Sequence, residues 1–162
     1  MKTINERTII KSITRISLTL TLILSIFALP SCLGGGFHKI VGMSMFPTVQ
    51  NNDIVCVLYG KKTPKHEDLV TLEFEKRLLI KRLIGLPGDT LVLHDNCVIR
   101  NGELLPENFI YNNPFYNSLV ITLEDDQYFV LGDNREVSLD SRIFGPVHRK
   151  DIKCIFGPYI RF

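Results

Sequence analysis

The sequence predicts a mainly β domain carried behind an N-terminal apolar segment. Three observations predict it. Short runs rich in β-branched and apolar residues recur after residue 37, bounded by Gly, Pro, Asn and Asp. No long stretch of 3.6-residue periodicity follows that point. Ahead of it, Ile16 to Phe37 contains no charged residue, and about 20 apolar residues suffice to cross a hydrocarbon core of ~30 Å.

Taken in order, residues 1–15 form a basic segment, with Lys2, Arg7, Lys11 and Arg15 against the single acid Glu6. Positive charge before an apolar span predicts a cytoplasmic N-terminus and a domain on the extracytoplasmic side. Residues 16–37 read as a membrane anchor ending in a flexible joint at Gly34-Gly35-Gly36. Two alternatives compete. A cleaved secretory signal has a shorter apolar stretch, ~7–15 residues. Leu29-Pro30-Ser31-Cys32 resembles a lipoprotein processing box, which would attach lipid at Cys32 instead. Span length and flanking charge favour the uncleaved single-pass anchor.

Residues 38–162 form the β-rich domain. Asp53–Tyr59 and Leu69–Phe74 are short strands separated by a solvated loop, 60–68. Leu78–Ile84 is a strand with a lysine at its middle, closed by the Pro87-Gly88 turn, which Asp89 serves. Thr90–Leu93 and Cys97–Arg100 make a hairpin around His94-Asp95-Asn96, and Asn101-Gly102 is the strongest type I′ turn signal. Pro106–Ser118 reads as an irregular insertion, Tyr128–Leu131 as a buried strand, and Ile152–Phe156 as the strand that closes the sheet.

Composition excludes some functions. The chain has 162 residues and a net charge of +2, which provides for one domain plus a short appendage. With no basic stripe there is no case for nucleic acid. Cys32, Cys56, Cys97 and Cys154 show neither CxxC nor metal spacing, so no metal and no cofactor are expected. Buried thiols or one disulfide among Cys56, Cys97 and Cys154 both remain open. His38, His66, His94 and His148 lie scattered in loop-like contexts, an unpromising basis for a histidine triad.

Three segments carry chemistry. Gly42-Met43-Ser44-Met45-Phe46-Pro47 places a serine in a tight, apolar-flanked turn. Lys81-Arg82-Leu83-Ile84-Gly85-Leu86-Pro87-Gly88-Asp89 follows Leu78-Leu79-Ile80 and sets a lysine among apolar residues. A serine needs a base to take its proton, and burial among apolar groups can make a lysine that base by disfavouring its ammonium form. Alternation puts Leu79 and Leu83 on the face of Lys81, with Ile80 and Arg82 on the other. The third segment, Gly132-Asp133-Asn134-Arg135-Glu136-Val137-Ser138-Leu139-Asp140-Ser141-Arg142, is too dense in charge and turn formers for an ordinary strand.

Together these segments resemble the type I signal peptidase family, including its mitochondrial inner-membrane relatives, over about Val41 to Val147. The resemblance implies an antiparallel, partly open barrel and a membrane-bound serine endopeptidase that removes signal peptides from exported precursors. It implies Ser44 as nucleophile and Lys81 as general base. Gly132, Asp133, Asn134, Arg135, Ser138, Asp140, Ser141 and Arg142 fall on the family's box around the active site. Ser138 matches a serine that hydrogen-bonds and orients the lysine, and Asp140 with Arg142 a supporting salt bridge. Some members carry a serine two residues before the nucleophile as an oxyanion donor; Gly42 stands there, so the hole rests on backbone N–H groups, the Ser44 N–H foremost, with the second donor unassigned. An extended substrate with small residues at the first and third positions before the cut would add to strand edges at His38, Lys39, Ile40, Val41, Gly42 and Met43, and at Arg77, Leu78, Leu79 and Ile80. Met45 and Phe46 would sit in the core or against lipid. The implied partners are precursor proteins and the bilayer.

Two rival readings remain. A self-cleaving LexA-like repressor shares the Gly-x-Ser-Met turn and a lysine strand, but needs a DNA-binding N-terminus and lacks the third segment. A catalytically silent, membrane-tethered binding module would not need Ser44, Lys81 and Ser138 together.

Overall fold

The computed structural model describes residues 6–32, 35–58, 63–112 and 118–156, with the side chains of the first helix described over 9–25. That helix, α1, runs Glu6–Cys32. Every described side chain from Ile9 to Ser25 is exposed, among them nine Ile and Leu at 44–73%. Among the described residues, no helix is long and apolar enough to cross a membrane. The helix begins within the basic segment and stops at Cys32. The strand β1 (Gly35–Lys39) takes up two of the three joint glycines. They are strand because Gly35 and Gly36 lie opposite Leu58 and Val57 of β2 (Ile54–Leu58). The first five residues, the Cys32 side chain, the loop at 59–62, part of the insertion (113–117) and residues 157–162 lie outside the described residues.

From β1 onward the chain builds two antiparallel sheets. β3 (Leu69–Phe74) pairs along its whole length with Arg77–Arg82 of β4 (Arg77–Gly85), and β4 continues through β9 (Gln127–Leu131) to β10 (Val147–His148). The seven-stranded order is β1-β2-β11-β3-β4-β9-β10, with β11 at Ile152–Phe156. Its end strands β1 and β10 do not meet, so the sheet stays open. β11 was expected to close the sheet; instead it lies inside it, between β2 and β3, because Ile155 pairs with both Leu58 and Val70.

The second sheet has the order β7-β6-β5-β8: β5 (Thr90–His94), β6 (Cys97–Arg100), β7 (Glu103–Leu104) and β8 (Leu119–Thr122). Asp95 and Asn96 have φ of 47° and 62°, and Asn101 and Gly102 have φ of 55° and 86°. Positive φ at both central residues is what two-residue I′ hairpins demand. Asp89 holds the Pro87-Gly88 turn as expected: its carboxylate accepts from the Leu86 N–H at 2.7 Å, Arg100 at 2.6 Å and Asn101 at 2.7 Å. Three histidines are in strands rather than loops: His38 in β1, His94 in β5 and His148 in β10.

Three apolar clusters form the core. One gathers Ile40, Met45, Val49, Val55, Val57 and Phe156, which places Met45 in the core rather than against lipid. A second holds Val70, Leu72, Leu83, Val130 and Ile152, with Leu79 packed against it. The third, Ile84, Leu91, Leu93, Val98, Phe129 and Leu131, joins the second sheet to the first. Cys97 and Cys154 are free thiols.

Candidate active site

Ser44 stands in a turn that its neighbours pin from below. Met45 and Val49 are 3% and 1% exposed, and the Val49 N–H donates to the Met45 carbonyl at 2.9 Å. Gly42, at φ 104°, occupies backbone space that a side chain rarely adopts, and its N–H donates to Asn51 Oδ1 at 3.0 Å. Phe46 meets Tyr111 edge to face with centroids 4.6 Å apart.

Lys81 lies on β4 opposite Val70, a member of the same apolar cluster as Leu79 and Leu83, so the alternation read from the sequence holds. The residue is 2% exposed. Its Nζ donates to Ser44 Oγ at 2.8 Å and to the Ile80 carbonyl at 2.9 Å. Among the described residues no carboxylate forms an ion pair with it. Burial lowers its pKa from 10.5 to about 8, while Asp140 and Asp133 at longer range pull it back up and Arg142 adds to the lowering.

The neighbouring cation is treated differently. Arg82 donates through Nε and Nη2 to the two oxygens of Asp133 at 2.9 and 2.7 Å, and through Nη2 to Thr48 Oγ1 at 3.1 Å. Its guanidinium lies 4.0 Å from the Phe109 ring centroid. Thr48 itself donates to Asp133, so one buried carboxylate ties β4 to the serine turn. Nothing in the residue pattern singled out this triangle; an arginine in an apolar run beside Lys81 was the available signal, and its partner lies 51 positions away.

The third segment surrounds the pair. The Asn134 N–H donates to the Ser44 carbonyl at 3.0 Å. Asp140 accepts from the Gly132 N–H at 3.0 Å and binds Arg142 through both oxygens at 2.8 and 2.9 Å, which is the expected salt bridge. Asp140 also caps α2 (Ser141–Phe144), and Ser141 Oγ accepts from the Val130 N–H at 3.0 Å. Arg135 donates from Nε to the Gly132 carbonyl at 2.9 Å and pairs with Glu107. Burial pushes Glu107 up and Arg135 down, each against the pull of its partner.

Ser138 corrects an expectation. It is 5% exposed, yet its Oγ has no hydrogen-bond partner among the described residues; Lys81 Nζ donates to Ser44 and Ile80 instead. Ser138 packs on Gly132, where an added Cβ would lie 2.5 Å from Ser138 Cβ and 2.6 Å from the Ser44 carbonyl oxygen. It is in place beside the serine turn but not bonded to the amine.

A cleft opens beside Ser44 and Lys81. His38, Lys39, Ile40, Val41 and Gly42 line one wall and Leu78, Leu79 and Ile80 the other. Both predicted strand edges therefore face it, but Met43 and Arg77 do not line it. Thr71, Met45 and Phe156 line it as well, brought in by sheet register that no local pattern announces. The edge of β4 is open along Arg77–Lys81 because its pairing with β9 begins only at Arg82.

The open antiparallel sheet thus carries a serine hydroxyl hydrogen-bonded to a buried amine beside a cleft, a candidate nucleophile and base. The chain belongs to the family described as signal peptidase, peptidase S26, whose model matches residues 9–156. It is 38% identical over 130 residues to probable signal peptidase I-2 of Synechocystis, an alignment covering 74% of this chain and 59% of that protein. It is 35% identical over 133 residues to signal peptidase I V of Bacillus subtilis, covering 71% and 79% respectively. The crystal structure of a signal peptidase I from Enterococcus faecalis matches with a TM-score of 0.52 at 30% identity, over 59% of this chain and 98% of that one. The chain spans about three fifths of the length of the cyanobacterial relatives.

Proposed function

We propose that this protein is a membrane-bound serine endopeptidase that removes N-terminal signal peptides from exported precursors, with Ser44 as nucleophile and Lys81 as general base. The observation that carries the reading is the 2.8 Å contact between Lys81 Nζ and Ser44 Oγ, made by a lysine that is 2% exposed. Once the ammonium loses its proton, the same contact reverses: Nζ accepts the Ser44 proton as Oγ attacks the scissile carbonyl. The Ser44 N–H meets the developing oxyanion; one such donor is worth about 3–4 kcal/mol where it has been measured. Collapse expels the new N-terminus, which takes the proton from Lys81 and leaves an acyl-serine. Lys81 then draws a proton from water, the acyl-serine hydrolyses, and the signal peptide leaves.

The substrate lies extended against the open edges of β1 and β4, with alternate side chains directed into the cleft. A terminal strand and a half-paired one are the backbone that such addition requires. Asp133, Asn134, Arg135, Asp140, Ser141 and Arg142 act by holding the turn and strand ends in place, and Gly132 by admitting the Ser44 carbonyl and Ser138.

The tether belongs to the same reading. The uncharged run 16–37, the basic residues ahead of it and the exposed Ile and Leu of α1 are what support a single-pass anchor, with residues 1–15 cytoplasmic and residues 38–162 outside. Cleavage of a precursor peptide with Ala-x-Ala before its mature end tests the whole. Ser44→Ala and Lys81→Ala should each abolish it with the β domain folded by circular dichroism. Undiminished cleavage by either variant overturns the assignment. Intact mass of membrane-extracted protein separates the tethers: full length supports the anchor, and loss of residues 1–31 with added acyl mass supports lipid on Cys32.

A further inference from the structure

We propose that Glu107 is a positioning residue for the Ser44 turn, acting from the loop between β7 and β8 through the buried guanidinium of Arg135. The inference rests on the peptidase reading above and adds a part that neither the serine turn nor the lysine strand contains.

Glu107 lies in the connection between β7 and β8, and the Glu107 and Arg135 side chains are 7% and 0% exposed. A pair so deeply buried is kept in place by its partners, since either charge alone would be left desolvated. Arg135 passes the constraint on: its Nε donates to the Gly132 carbonyl at 2.9 Å. Its neighbour Asn134 donates its N–H to the Ser44 carbonyl at 3.0 Å. Glu107 is thus linked to the serine's own peptide through one side-chain pair and one short stretch of backbone.

Other described residues of the loop lie along the same stretch. The Tyr111 N–H donates to the Asp133 carbonyl at 3.0 Å, and the Arg135 N–H to the Asn112 carbonyl at 3.2 Å. Phe109 lies against Arg82 and Tyr111 against Phe46. The charged groups acting on Glu107 are Arg135, Asp133 and Arg82, all of which lie in that contact. The second sheet is therefore a brace for the nucleophile, and Glu107 is its ionic point of attachment.

The test compares wild type, Glu107→Gln and Ser44→Ala as full-length chains. A small misplacement of a nucleophile costs up to roughly 10²-fold, so Glu107→Gln should lose about that factor in kcat with KM within about twofold. Amide hydrogen exchange supplies a readout that needs no activity: Asn134 and Arg135 should exchange faster in Glu107→Gln while the β3 and β4 amides keep their protection. Wild-type kcat, or a loss confined to KM, overturns the proposal, as does unchanged exchange at Asn134. If Ser44→Ala still cleaves, the peptidase reading fails by itself and the exchange result alone decides the role of Glu107. Should Glu107→Gln not fold, Glu107→Gln combined with Arg135→Met removes both charges of the pair, and wild-type kcat and Asn134 exchange in that variant overturn the proposal equally.

Discussion

Residues 81 and 82 bury two cations side by side on β4, one on each face of the strand. Arg82 finds the Asp133 carboxylate at 2.7 Å together with an aromatic face. Lys81 finds a hydroxyl and a carbonyl and, among the described residues, no carboxylate partner. Arginine suits the first place because its planar fork meets a carboxylate with two bonds and keeps its charge. Lysine suits the second because it can give up its proton when desolvated. The difference teaches that burial alone does not make a base: the partner decides whether a buried cation holds the structure together or is readied for chemistry.

Substitutions that exchange these conditions test the contrast. The largest effect is catalytic. Lys81→Met should remove precursor cleavage by on the order of 10⁴–10⁶-fold, as loss of a nucleophile–base pair does elsewhere, whereas Arg82→Lys should leave measurable turnover in a peptide-cleavage assay. Next comes stability. Arg82→Met strands the Asp133 charge in the interior and should cost about 3–5 kcal/mol in urea unfolding.

Lys81→Met should move stability in the opposite direction. Burial lowers the folded pKa of Lys81 from 10.5 to about 8, so between those values the folded chain binds fewer protons than the unfolded one. The penalty is fully present below pH 8, declines as pH rises, and is gone above about 10.5. The variant should therefore be more stable than wild type at pH 6 by up to about 3 kcal/mol, with the advantage fading in melts taken toward pH 10. A variant that is less stable at pH 6 would show that the amine is not desolvated.

The pH dependence of cleavage is a smaller effect from the same source. Below pH 8, kcat/KM should fall about tenfold per unit as the amine protonates, and a flat profile from pH 6 to 8 would remove Lys81 as the base. The smallest effect is a control far from both cations. Gly102→Ala, at φ 86° in the β6–β7 turn, should lose about 1 kcal/mol of stability and leave cleavage as it is.

Much of this arrangement is legible in the residues. Leu69–Phe74 and Cys97–Arg100 coincide with β3 and β6, since their β-branched runs end at Glu75-Lys76 and Asn101-Gly102, where the backbone must take positive φ. Gly35 and Gly36 misled because glycine reads as a joint, while in the structure their N–H and C=O groups pair with β2. β8 at Leu119–Thr122 escaped notice as four residues behind a polar insertion; it is a strand because β5 lies beside it.

The sequence by itself determined the β character of the domain, the apolar run at its N-terminus, and the candidate serine and lysine, because these are matters of local composition, turn chemistry and alternation. Only the tertiary structure decided that Lys81 pairs with a hydroxyl and a carbonyl while Arg82 takes Asp133, that Ser138 lies against Gly132 rather than on the amine, and that Glu107 reaches Arg135. The two ion pairs depend on register and packing between residues 28 and 51 positions apart, and the worth of a buried charge depends on which partner the fold brings to it.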